Sequence, residues 1–188
     1  MVVPEAPVSL TGQGLVLREW ADADLSAMVG LFDEPEIAHR SPLASPFDLD
    51  AARAYLKMIR RTRTAGERLH LAITTDGDTP LGEVLLNLSR GSMGYAVGAA
   101  YRGRHLALRA VQLMTGYAHQ DLDLQRMVLQ IEPDNTPSIA VAQAAGFRPA
   151  ADEPEEVEGK GRHYTLLTWE HRAPTGSGGA SRSQNHRA

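Results

Sequence analysis

The sequence predicts an α+β fold whose centre is a mixed, mostly antiparallel sheet of about seven strands. Segments in which apolar residues alternate are more numerous than segments in which they lie three and four apart. Two alternating segments, residues 69–73 and 84–88, flank the turn signal Asp76-Gly77 and predict an antiparallel hairpin. Residues 93–131 instead have the pattern of strand, helix and strand, a connection that makes the two strands parallel. A hairpin and a parallel pair within one sheet make that sheet mixed.

The first predicted elements are a strand and a helix. Residues 15–20 have the alternation of a strand, and Asp22 or Asp24 then offers an N-cap for a helix that reaches Phe32. Pro35 interrupts this helix, because proline removes a backbone donor and clashes with the preceding turn.

A second helix is predicted after the proline-containing segment 41–47, which has the composition of an irregular loop. Asp48 is its N-cap, and Leu56 and Ile59 belong to its apolar face. Gly66 ends the helix, and the hairpin follows.

The central stretch, residues 93–117, predicts a buried strand, a loop dense in small and basic residues, and a helix. The helix has one buried face formed by Leu106, Ala110, Leu113, Met114 and Tyr117. Arg102, Gly103 and Arg104 lie in the loop just before it. Free N–H groups at a helix start, with the macrodipole behind them and guanidiniums beside them, suit a pyrophosphate. We therefore predict a site for a phosphate-containing cofactor.

The remaining elements complete the sheet. A strand over 127–131 is followed by a short helix that starts at Asn135 and ends near Gly146. Two strands follow, the last of them over 164–169, after a turn at 159–161.

Length and composition bound the function. The 188 residues suit one domain, predicted over 1–172, with a flexible Gly/Ser-rich tail over 173–188. A net charge of -4 predicts no general affinity for nucleic acid or an anionic membrane. The absence of cysteine excludes a thiol nucleophile. The first ten residues lack the pattern of a secretory signal, so we predict a cytoplasmic protein.

The element order and three motifs resemble the GNAT superfamily of acyl-CoA-dependent N-acyltransferases, in particular its ribosomal-protein-alanine (RimJ/RimL-like) branch. The first motif is Gly94-Tyr95-Ala96-Val97 and the second is Arg102-Gly103-Arg104-His105-Leu106-Ala107. The third combines Asn135-Thr136-Pro137-Ser138 with Ala145-Gly146-Phe147. The resemblance covers about residues 10–171. It implies a three-layer GNAT fold, with helices on both faces of the sheet and acyl-CoA bound at the central strand–helix–strand unit.

The resemblance also implies how acetyl-CoA is bound. A strand bulge splays two strands apart, the freed strand backbone pairs with the pantetheine amides, and the loop N–H groups hold the diphosphate. The residues assigned to acetyl-CoA are Tyr95, Ala96, Val97, Arg102, Gly103, Arg104, His105, Leu106, Ala107 and Asn135. His105 departs from the pattern, which has glycine there, so its ring is expected to crowd the phosphates.

Two residues are candidates for catalysis. Many relatives protonate the leaving thiolate with a tyrosine, but that position here is Ala142. Ser138 matches the serine proposed for the ribosomal branch, although a hydroxyl after Pro137 is also a common helix cap. Glu83 is the strand carboxylate expected nearest the reaction centre and could accept a proton, although alternation could equally direct it to solvent.

Two functions remain open at this point. One is an N-acetyltransferase that transfers acetyl from acetyl-CoA to a primary amine, on a protein N-terminus or a small molecule, by direct attack. The other is a GNAT-fold acyl-CoA-binding module that has lost turnover, and a succinyl donor is a further alternative. His70 and His119 lack metal-ligand spacing, so we expect no metal. The oligomeric state stays open between monomer and homodimer.

Overall fold

The computed structural model describes residues 6–174. The predicted tail, from residue 175 onward, lies outside the described residues, and the domain boundary at 172 stays a prediction. Within the described range no helix is both long and apolar enough to span a membrane.

The sheet is mixed and mostly antiparallel, as predicted. Its strands are β1 (Ser9–Gly12), β2 (Leu15–Glu19), β3 (Arg68–Thr74), β4 (Gly82–Asn87), β5 (Ser92–Val97), β6 (Arg126–Ile131), β7 (Arg148–Pro149), β8 (Glu155–Gly159) and β9 (Arg162–Arg172). The order is β1-β2-β3-β4-β5-β6-β9-β7, and β8 pairs with β9. Among the described strands only β5 and β6 pair in parallel. The sequence patterns missed β1 and β7, which have four and two residues.

Five α-helices accompany the sheet in the described range. They are α1 (Leu25–Phe32), α2 (Pro35–Arg40), α3 (Leu49–Thr64), α4 (Leu106–Gln120) and α5 (Thr136–Ala144). Asp48 caps α3 as predicted, since its carboxylate accepts the Ala51 N–H at 2.9 Å. Pro35 does end the preceding helix, but it also begins α2, because proline is well suited to a first helical position.

The cap predicted for α1 was wrong in its chemistry. Asp24 lies at the N-cap position, but its carboxylate does not bond to the helix N–H groups. Instead it accepts two hydrogen bonds from the Arg18 guanidinium, at 2.7 and 2.9 Å, and one from the Ala21 N–H. Burial alone would raise the pKa of Asp24, but these donors outweigh it and hold the pKa below its usual value.

Each face of the sheet has its own hydrophobic cluster, which confirms helices on both faces. On one face, Met28 and Phe32 of α1 and Leu56 of α3 pack against Trp20 and Ala72. On the other, side chains of α4 and α5 pack against the strands; they include Ala110, Met114, Ala142, Leu71, Val84 and Leu86. The strand β5 contributes to both clusters, with Ala96 in the first and Met93 in the second, so it lies between the two layers.

Candidate active site

The sheet opens between β5 and β6. The two strands pair only at Ser92 with Val128 and Met93 with Leu129. Beyond Met93 the edge of β5 that faces β6 has no partner strand in the described part of the chain. The splayed strands expected from the resemblance are present. The expected bulge is not, because the described β4–β5 register runs without interruption from Ser92 to Val97.

A cavity of about 650 Å³ occupies this opening. Its walls are the end of β5, the loop before α4, the first turn of α4, one side of α5 along its length, and the helix α2. Nine of the ten residues predicted to bind acetyl-CoA line it, together with Ser138; these nine are Tyr95, Ala96, Val97, Arg102, Gly103, His105, Leu106, Ala107 and Asn135. Motifs 40 residues apart in the sequence are therefore brought together. Arg104 is not among the lining residues.

The start of α4 leaves backbone donors free to bind an anion. His105 is the residue before the helix, and its side chain makes no capping hydrogen bond to the helix N–H groups. Gly103 and His105 both have left-handed backbones, with φ of 75° and 54°. Glycine is favoured in that conformation, which explains why the family pattern has glycine where His105 stands. A non-glycine residue held there costs about 1–3 kcal/mol.

Arg102 reaches the cavity but is already paired. Its guanidinium contacts Glu34 at 3.0 Å and Glu36 at 2.5 Å, and its side chain is 42% exposed. The same Glu34 also accepts the Ala99 N–H at 2.7 Å. An anionic ligand would therefore compete with two carboxylates for this guanidinium. Any binding of an anion by the Arg102 guanidinium would come at the expense of these two ion pairs.

Ser138 and Tyr95 lie on different walls of the cavity, Ser138 on α5 and Tyr95 on β5. Asn135 caps α5, because its side-chain oxygen accepts the Ser138 N–H at 3.2 Å. Asn135, and not Ser138, is therefore the side chain that caps α5. The Ser138 hydroxyl is not needed for that cap. Burial raises the pKa of Tyr95, and the Ser138 hydroxyl partly offsets this rise. No group of residues 6–174 makes a hydrogen bond of ordinary geometry to the Tyr95 hydroxyl.

Glu83 does not line the cavity. Its side chain is 4% exposed and lies beside that of Ala96, its partner in the β4–β5 register, on the face of the sheet that carries α1 and α3. The carboxylate accepts the Trp20 indole N–H at 2.8 Å and the Tyr55 hydroxyl at 2.6 Å. His70 completes the network, with its Nδ1 3.2 Å from the Tyr55 hydroxyl. The carboxylate oxygens already accept these hydrogen bonds, as is typical of a buried structural carboxylate. A role of Glu83 in proton transfer stays a prediction.

The helix α2 forms a cavity wall that sequence patterns did not reveal. It contributes Glu36, Ile37 and Arg40, and Ser41, the residue after the helix, also lines the cavity. Its carboxyl end is held by the turn between β8 and β9, where Lys160 and Arg162 donate to the carbonyl oxygens of Ala38 and His39 at 2.7 and 2.8 Å. Pro35 followed by an acidic residue is a helix-start signal that could have identified this wall.

A cluster of charges anchors α2 to the rest of the site. Arg40 and Arg162 both bind Glu132, at 3.1 and 2.7 Å, and Arg40 also binds Asp134. Burial alone would raise the pKa of Glu132, but the two guanidiniums hold it below its usual value. No cluster of three or more metal-ligating side chains occurs in the described range.

Known proteins share this fold and parts of this sequence. The chain matches the family model of the acetyltransferase (GNAT) domain over residues 14–148. It is 26% identical over 160 residues to p20, an uncharacterized N-acetyltransferase of Bacillus licheniformis, and the match covers 82% of this chain and 90% of p20.

Two solved structures have a similar fold. RimJ of Mycobacterium smegmatis, solved in complex with CoA-disulfide, has a TM-score of 0.75 at 21% identity, over 89% of this chain and 87% of RimJ. The ribosomal-protein-S5-alanine acetyltransferase of Vibrio fischeri has a TM-score of 0.72 at 16% identity, over 88% of this chain and 96% of that protein.

Proposed function

This chain belongs to the GNAT acetyltransferase family, and on that premise we propose that it transfers acetyl from acetyl-CoA to a primary amine by direct attack. The observation that carries the proposal is the cavity between the unpaired end of β5 and the uncapped start of α4. An unpaired strand edge offers backbone donors and acceptors to the amides of an extended ligand. A free helix start offers N–H groups and a positive dipole end to a diphosphate.

The donor-binding residues follow from this arrangement. We assign the pantetheine arm to the backbone of Tyr95, Ala96 and Val97, and to the neighbourhood of Asn135. We assign the diphosphate to the loop from Arg102 to Ala107, mainly through backbone N–H groups, since Arg102 is shared with two carboxylates. RimJ, a protein with the same fold, was solved in complex with CoA-disulfide, which supports a CoA-type donor here.

The chain's own groups act at two points of the reaction. When bound, acetyl-CoA supplies a thioester, whose carbonyl carbon accepts the amine and whose sulfur departs. A backbone N–H at the end of β5, near Val97, stabilises the charge that develops on the carbonyl oxygen. The Ser138 hydroxyl donates a hydrogen bond to the departing sulfur. Because a thiol has a pKa of about 8.5, this modest assistance is enough near neutral pH.

The acceptor is an amine that loses its proton easily. Among the residues that line the cavity, only Glu36 and His105 could serve as a base. Glu36 is paired with Arg102, and His105 lies at the start of α4, at the end assigned to the diphosphate. At pH 7.5 an α-amine with a pKa of about 7.7–8.0 is roughly one-third neutral, whereas lysine, with a pKa of about 10.4, is only about 0.1% neutral. We therefore propose an α-amine, as on a protein N-terminus, as the acceptor.

The test is transfer itself. Purified protein is incubated with acetyl-CoA and a panel of peptides with free α-amines, and free thiol is measured together with the peptide mass. We expect thiol release in step with the gain of one acetyl group, and no release with peptides whose α-amine is blocked. Cofactor binding without thiol release on any amine would instead indicate a binding module.

A further inference from the structure

We propose that Arg109, a residue of α4 that does not line the cavity, holds the loop before this helix in the conformation that presents a backbone N–H to the diphosphate. The proposal rests on the proposed acetyl-CoA site and adds to it a residue outside the sequence motifs. Arg109 is a positioning residue, because it acts on the ligand through the backbone of the loop.

The first step is that the Arg109 guanidinium joins two distant parts of the backbone. Its Nη2 donates to the carbonyl oxygen of Arg104, in the loop, at 3.2 Å. Its Nη1 donates to the carbonyl oxygen of Gln13 at 3.0 Å, across 96 positions of the chain. Gln13 lies in the turn between β1 and β2. The loop is therefore fastened to that turn by one planar group.

The second step is that the β1–β2 turn is shaped to receive the guanidinium. Gln13 and Gly14 both have left-handed backbones, with φ of 55° and 68°. A Cβ added to Gly14 would lie only 3.2 Å from Nη1 of Arg109, so a side chain there would crowd the guanidinium. A Cβ on Gly12 would lie 3.0 Å from Cδ1 of Leu113, one turn further along α4. The turn thus packs closely on this face of α4 and is a fixed support.

The third step is the direction of the His105 N–H. Among the described residues the only cis peptide bond joins Ser45 and Pro46, so the bond between Arg104 and His105 is trans. In a planar trans peptide the C=O and the N–H point in opposite directions. Because the Arg104 carbonyl is turned towards Arg109, the His105 N–H points away from it. His105 lines the cavity, and no acceptor within residues 6–174 takes its N–H.

The fourth step is that this conformation needs support. The left-handed backbone of His105 is strained, and such a conformation persists only where the surrounding structure fixes it. Arg109 bonds to the carbonyls on both sides of that residue, with its guanidinium to Arg104 and with its own N–H to His105, at 3.1 Å. A substitution removes only the first bond. The peptide between Arg104 and His105 can then rotate, and its N–H is lost to the ligand.

The experiment compares Arg109→Met and Arg109→Lys with the wild type. The dissociation constant of acetyl-CoA is measured by calorimetry, and kcat at saturating acetyl-CoA. We expect Arg109→Met to raise the dissociation constant about 10-fold. Arg109→Lys should raise it about fivefold or more, because an ammonium is a point charge and cannot hold two carbonyls as the planar fork does. The kcat should stay within about twofold, since other walls hold the thioester.

Three controls separate this role from charge and from stability. Acetyl-pantetheine has no diphosphate, so Arg109→Met should leave kcat/KM for this donor within about twofold of the wild type. The ratio of variant to wild-type dissociation constants for acetyl-CoA should not change between about 0.05 and 0.5 M salt, because salt screens a lost charge and not a lost loop conformation. Arg53→Met, in the first turns of α3 and away from the cavity, should keep the wild-type affinity and kcat.

Three results would overturn the proposal. Wild-type acetyl-CoA affinity in Arg109→Met, even with a lowered Tm, would leave the residue only a structural role. Wild-type affinity in Arg109→Lys would show that charge alone matters. Equal losses for acetyl-CoA and acetyl-pantetheine would indicate general damage to the fold.

Failure of the proposed function is visible in the wild type itself. A wild type that does not bind acetyl-CoA would refute both the function and this inference. A wild type that binds acetyl-CoA but releases no thiol on any amine would refute the transfer alone, and the dissociation constants would still decide the role of Arg109.

Discussion

The buried carboxylate of Glu83 allows a structural role to be separated from a catalytic one. Glu83→Gln keeps the shape of the side chain but removes its charge and one acceptor oxygen. Trp20 and Tyr55 both donate to the carboxylate, and an amide has only one oxygen to accept with. If Tyr55 turns to donate to His70 Nδ1, then His70 must carry its proton on Nε2, which has no partner in the described range. One buried donor is therefore left unpaired, whether Tyr55 keeps its present direction or turns towards His70.

The magnitude follows from this count. A hydrogen bond to a charged group contributes about 1.5–3 kcal/mol, and an unpaired buried donor costs about 1–3 kcal/mol. We expect Glu83→Gln to lower the free energy of unfolding by about 2–3 kcal/mol. For a chain of this size that corresponds to a decrease in Tm of about 4–12 °C. Chemical denaturation and thermal melting of the free protein measure it.

The control is Tyr55→Phe, which removes one donor and keeps the carboxylate. Burial, with the charge of Glu83 adding to it, raises the pKa of Tyr55 well above its usual value, so this donor is neutral at any working pH. We expect Tyr55→Phe to destabilise the fold as well, and neither variant to lower kcat more than about threefold at 20 °C. A Glu83→Gln variant with normal Tm and a kcat lowered 100-fold or more would refute the structural reading and identify Glu83 as the base.

Two further predictions concern charge. Arg102→Gln should weaken acetyl-CoA binding by about 10-fold or less and should reduce the rise in Tm that acetyl-CoA causes. The control Arg53→Gln, on the exposed face of α3, should change neither quantity. If acetyl-CoA stabilised both variants equally, Arg102 would not belong to the site. The His119–His171 pair, with ring nitrogens 2.9 Å apart, should make stability depend on pH. Burial and then His119 lower the pKa of His171 from 6.5, so below pH 6.5 the unfolded chain binds a proton that the folded chain resists, and stability should fall as the pH drops. Urea unfolding between about pH 5 and 8 should show this slope in the wild type and a smaller one in His171→Gln; the same slope in both would contradict it.

Local patterns predicted much of the fold because they report on local geometry. The apolar spacing of α4, the Asp48 cap and the Asp76-Gly77 turn each depend on residues within a few positions of each other. The strand β1 escaped detection because it has only four residues, two of them exposed, and Leu10 is the one large apolar residue among them. Pro35 was ambiguous for a physical reason, since proline both ends one helix and starts the next.

The site was predictable as a set of motifs and not as a set of contacts. The helix start follows from the local pattern of the residues that form it, and the splayed strands were an expectation from the family resemblance. Side-chain partners do not follow from local patterns, because they come from distant parts of the chain. Glu34 pairs with Arg102 across 68 positions. For Glu83, alternation could not decide the direction of the side chain, since β4 is buried on both faces of the sheet.

The most direct test of the proposed function is to map where the acetyl group goes. A single peptide with a free α-amine and an internal lysine is incubated with acetyl-CoA and the protein at pH 7.5, and the product is fragmented in a mass spectrometer. The proposal predicts acetyl on the α-amine, because that amine is already about one-third neutral and the cavity supplies no strong base. Predominant acetylation of the lysine would contradict it, and would require a base at the site that removes the proton of an amine with a pKa of about 10.4.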